Sequence, residues 1–188
     1  MLRTGRTQEG AMVSHEYDPD DNFGHAFHAQ ADVDEDDALE TVAWQFLLLV
    51  NPDDEGAALQ QFAAFRLALD DAGDGADPGA LLRDVIDWQA GFHVQEHDAQ
   101  GLMEALDELV ARWRLRIDWD VDDDATELPD TSVLLQAAFT QLRERHYSLW
   151  TVETGEATLA GWITHERDEE AMQLVAGALG MSARPGFG

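Results

Sequence analysis

A chain of 188 residues, 45% of them hydrophobic, can bury one substantial core, so length argues for one domain, or one domain and a tail. The 39 acids stand against 11 bases, a formal net charge of −28, and every base is arginine. A field of that sign repels phosphate backbones and anionic membranes and attracts basic proteins and divalent cations; without cysteine or lysine there are no disulfides, Cys-ligated metals, thiol nucleophiles or Schiff bases.

No apolar run approaches the roughly 20 residues of a membrane-spanning helix, the nearest being Trp44–Val50. The N-terminal residues carry no apolar secretory core, so a cytoplasmic address is expected. Residues 1–36 are polar and aperiodic and read as a disordered acidic tail, with residues 37–188 as a single domain. The acids are spread along the chain and not gathered in one block, so salt adaptation or genome composition, with the charges simply solvated, is the bland explanation of the charge.

From Asp37, Leu39, Val42, Phe46 and Leu49 recur at helical spacing, and a second helix follows on Leu59, Phe62, Phe65 or Arg66, and Leu69. Glycines and Pro78 interrupt the pattern before a short third helix on Leu81, Leu82, Val85 and Ile86. Gly91–Gln95 has strand composition and precedes Asp98, a good helix N-cap. Leu102, Leu106, Leu109 and Trp113 then form a strong apolar stripe. Ile117, Trp119 and Val121 alternate with charged residues, which predicts a half-buried strand. A helix on Val133, Leu134, Ala138 and Leu142 follows, then a hairpin turning at Gly155 and Glu156, with Trp150 and Trp162 facing each other across it. The last helix begins with acids that suit its positive end and stops at Gly180. The expected fold is α+β: three N-terminal helices, then βαβαββα, with a four-stranded, partly antiparallel sheet backed by helices.

The segments VIDWQAGFHV, LDELVARWRLRIDW, YSLWTVETGEATLAGWI and DEEAMQLVAGALG resemble an uncharacterised bacterial family of domains of unknown function, over roughly residues 42–180. That resemblance implies no activity, cofactor or catalytic residue.

The sharpest chemical pattern is HVQEH, where His93, Glu96 and His97 match the H-x-x-E-H of some zinc peptidases. A metal needs both histidines on one helical face. Here the motif straddles a strand end, where His93 and His97 would stand about 13 Å apart by strand rise, so a strand histidine and a cap-adjacent one are preferred. Asp118, Asp120, Asp122 and Asp124 repeat somewhat as in a calcium loop, but Asp123 and Pro129 occupy the places of its glycine and glutamate. His15, His25 and His28 could chelate a metal only by ordering a flexible tail. No G-x-S-x-G, phosphate-binding glycine loop or Walker motif occurs.

Most of the six tryptophans belong in a core. Trp88 and Trp119 each follow an aspartate, and with Asp118 and Asp120 they form an aromatic and acidic combination suited to an arginine-rich partner. The chain is accordingly expected to be a non-enzymatic acidic interaction or regulatory domain for a basic macromolecule, without nucleic acid, membrane or cofactor. The alternative is a metal-dependent hydrolase holding a divalent ion through His93, Glu96 and His97 or through the Asp118 to Asp124 cluster. No pattern specifies an oligomeric state.

Overall fold

The computed structural model describes residues 35–73, 75–120 and 128–186. Helices α1 (Glu35–Val50), α2 (Glu55–Ala72) and α3 (Pro78–Val85) precede β1 (Gly91–Gln95) and α4 (Ala99–Ala111). There follow α5 (Thr131–Arg143), β2 (Tyr147–Glu153), β3 (Thr158–His165), a 3-10 turn at Glu166–Asp168, α6 (Glu169–Ala178) and β4 (Ala183–Pro185). The strands make one sheet in the order β1-β3-β2-β4, with every pairing antiparallel. This is an α+β fold, and Asp36–Gly188 form one compact unit.

Local chemistry explains the helix starts. The Asp54 and Asp98 carboxylates accept from the Ala57 and Gly101 N–H groups at 2.9 and 2.8 Å, and Asp77 accepts from Gly79 and Ala80 just ahead of Pro78. Each cap satisfies backbone donors that the first turn leaves open.

Side-chain alternation along the strands divides the core between the two sheet faces. On one face Trp150 and Trp162 are direct cross-strand partners and pack with Phe46, Leu47, Phe65, Leu82 and Met172 from the helices α1, α2, α3 and α6. Phe46 meets Trp162 edge-on, with ring centroids 4.9 Å apart. On the other face Phe92, Leu149 and Ile163 pack against the Leu102, Leu106 and Leu109 stripe of α4 and against α5. Gly161 makes room for the Phe92 ring, since a Cβ there would lie 2.8 Å from it and would also run into the Trp150 carbonyl oxygen.

Three sequence expectations are corrected. Residues 116–120 are not a strand: the Gln141 side chain accepts from the Asp118 N–H at 2.8 Å and donates to its carbonyl at 2.7 Å, so a side chain takes the bonds that a neighbouring strand would use. Asp120 then turns to φ +48°, which no strand tolerates, although Ile117 stays buried against the α4–α5 core. The fourth strand is β4, held beside β2 by the Gly186 N–H to Leu149 and the Thr151 hydroxyl to Gly186; its proline sits at a sheet edge, where a missing donor costs no ladder bond. The helical stripes are also shifted at two places, since Leu59 and Val133 are 59% and 56% exposed, while Ala58 and Gln61 turn inward on α2 and Leu135 on α5.

The N-terminal segment with His15, His25 and His28 lies outside the described residues, as do Val121, Asp122 and Asp124. Among the described residues no helix is long and apolar enough to cross a membrane.

Candidate functional site

Among the described residues, strand β1 is an edge strand, bonded to β3 alone. Gly91 lets Ile86 close over its start, because a Cβ there would sit 2.7 Å from the Ile86 side chain. Beyond that contact, the sheet's edge is open at His93, which is exposed and pairs with the small Ala160. A cleft of about 660 Å³ runs along this edge. Its floor includes Phe92, His93 and Trp162, with Arg83, Asp84 and Trp88 on the α3 side and Glu104 and Glu108 on α4. Glu156 of the hairpin turn also faces it.

A second cleft, of about 590 Å³, continues from the first through their shared residues Trp88 and Glu108. It adds Asp53 and Asp54, and Arg112 with Trp113. Across the two clefts stand the six carboxylates of Asp53, Asp54, Asp84, Glu104, Glu108 and Glu156, all exposed, against Arg83 and Arg112.

Arg112 offers little to an anion, since both terminal guanidinium nitrogens are already engaged and the Nε–H, without an acceptor among the described residues, is buried. Nη1 donates to the carbonyls of Gln89 at 3.0 Å and Val50 at 3.3 Å, and Nη2 to Ile163 at 3.3 Å. The group also lies 3.9 Å from the Trp113 ring centroid. Burial lowers its pKa to about 10, while the fields of Tyr147, Asp54 and Asp87 pull it back up. It is a clamp joining the end of α1, the turn before β1 and strand β3.

Trp88 is 60% exposed and borders both clefts. An indole open to solvent beside carboxylates offers its face to a cation, and the carboxylates hold the cation there. Trp162 forms part of the floor, and its buried indole N–H has no acceptor among the described residues.

The residues singled out in the sequence are thus dispersed. Trp88 and His93 both line the first cleft, whereas Glu96 and His97 are exposed at the turn before α4 and line neither cleft. Asp118, Trp119 and Asp120 line neither cleft as well. Trp119 is half-buried, its Nε1–H shared between the Asp107 carboxylate oxygens at 3.1 and 3.2 Å, and Asp118 accepts from the Asp120 N–H. Among the described residues, no three His, Asp or Glu side chains gather in a metal-holding group. Missing from the sequence reading were Glu104, Glu108 and Arg112. The only signal for the first two was their four-residue spacing on the polar side of α4.

No curated protein and no solved structure is similar enough to match. A family model does match, over residues 42–186, nearly all of the compact unit just described. The chain belongs to the family described as domain of unknown function (DUF6630).

Proposed function

We propose that this chain is a non-enzymatic cytoplasmic interaction domain that binds a basic macromolecular partner through the groove centred on Trp88. The observation that carries this proposal is an indole 60% exposed at the junction of two clefts rimmed by six exposed carboxylates. Surface charge alone would attract any cation and be screened within about 8 Å at physiological ionic strength. An aromatic face adds a short-range preference for guanidinium that salt weakens less.

A hexa-arginine peptide titrated calorimetrically into the protein tests this. Binding is expected at low salt, and Trp88→Ala, which leaves the charge unchanged, is expected to weaken it about fivefold, the equivalent of roughly 1 kcal/mol of cation–π energy. Glu104→Gln with Glu108→Gln is expected to lower affinity further and flatten the salt dependence. Equal affinity for wild type and Trp88→Ala would mean that diffuse charge, and not this groove, holds the peptide.

A further inference from the structure

Resting on that groove, we infer how the partner lies in it: as an extended segment added to the sheet at the open side of β1, with arginine at alternate positions. The phase of the β1–β3 ladder carries the inference. The Glu96 N–H donates to Ala157, so in an antiparallel pair Val94 and Phe92 also turn their backbone groups toward β3, opposite Leu159 and Gly161. Those of Gly91, His93 and Gln95 then point away from the sheet. The Gly91 N–H is taken by Asp87 and the Gln95 carbonyl by Asp98. Among the described residues, the N–H and C=O of His93 and the N–H of Gln95 are left on the open side, within the cleft's reach, as a template for one more strand.

The walls select the side chains of such a strand. A residue opposite His93 shares the sheet face of Ala160, the one packed by α3, which carries Arg83, while Trp88 lines both clefts beside Glu108. Its two neighbours fall on the α4 face, toward Glu104 and Glu108. Those carboxylates are one helical turn apart, roughly 6 Å by helix rise, close to the roughly 7 Å between alternate residues of a strand. An Arg-x-Arg pattern therefore places one guanidinium against each.

The test uses an acetylated, amidated hexapeptide with arginine at its second and fourth positions and threonine or valine elsewhere, titrated at low salt into the whole chain. Two further versions carry N-methyl groups on the odd or on the even residues. Backbone pairing requires that one methylation phase, the one removing donors aimed at β1, weaken binding at least tenfold while the other stays within about threefold, and that amide exchange at His93 slow in the complex. Equal binding by all three peptides, or equal weakening by both methylations, overturns strand addition and leaves the groove itself standing. Absence of binding by every version, hexa-arginine included, overturns both.

Discussion

Replacing Arg112 by methionine keeps most of the apolar stem and removes only the cation, so it isolates what the clamp contributes. Three bonds from a charged donor to the carbonyls of Val50, Gln89 and Ile163 are worth roughly 1.5 kcal/mol each at the low end for such bonds. Stacking on Trp113 adds about 1 kcal/mol. Against this stands the burial of the charge, which the lowered pKa of about 10 puts on the order of 3 kcal/mol. Arg112→Met is therefore expected to destabilise the domain by about 2 kcal/mol. The folded state of the wild type gives up this proton at lower pH than the unfolded chain does, so the burial cost is constant below pH 10. Above that it is relieved as pH rises. Urea unfolding followed by tryptophan fluorescence, with an unchanged m-value, measures the difference. A variant as stable as wild type between pH 6 and 9, or more stable, would show that desolvation outweighs the carbonyl bonds and that the clamp interpretation is wrong.

Gly161→Ala should destabilise by about 3 kcal/mol or more, because the clash with the Trp150 carbonyl oxygen is with backbone that cannot swing aside, whereas Gly177→Ala, with open space around its Cβ in α6, should be neutral or stabilise by up to about 1 kcal/mol. Comparing the two melting curves checks the packing of Phe92 over β3. Asp98→Ala removes the α4 cap and is expected to cost about 1 kcal/mol; Asp98→Asn should recover most of it in the same denaturation assay. Trp88→Ala should leave unfolding within about 0.5 kcal/mol of wild type, since the side chain is largely exposed. A larger loss would place Trp88 in the fold's support and not in the groove's binding surface.

Helices and the hairpin were legible because their signals are local. The Leu102, Leu106 and Leu109 stripe repeats at the helical period and is wholly buried, the aspartate caps lie within three residues of the donors they satisfy, and the Gly155 turn brings Trp150 onto Trp162. Strand alternation misled at Ile117–Trp119 because it reports only which side chains turn inward. The backbone bonds there go to Gln141, 23 residues away in the chain. Leu59 and Leu69 fit one helical period equally well, yet only Leu69 packs on the core, a choice made by α2's neighbours.

The amino-acid sequence by itself determined the α+β class, the family, the element types and the −28 field, since composition and short-range periodicity need no partner to be read. Only the tertiary structure decided that Trp88 stays exposed while Trp150 and Trp162 are enclosed, that Glu104 and Glu108 face the edge of β1, and that Arg112 is spent on backbone carbonyls. Those outcomes depend on which surfaces of distant segments cover one another, and burial of that kind is a property of the packed whole and not of any stretch read alone.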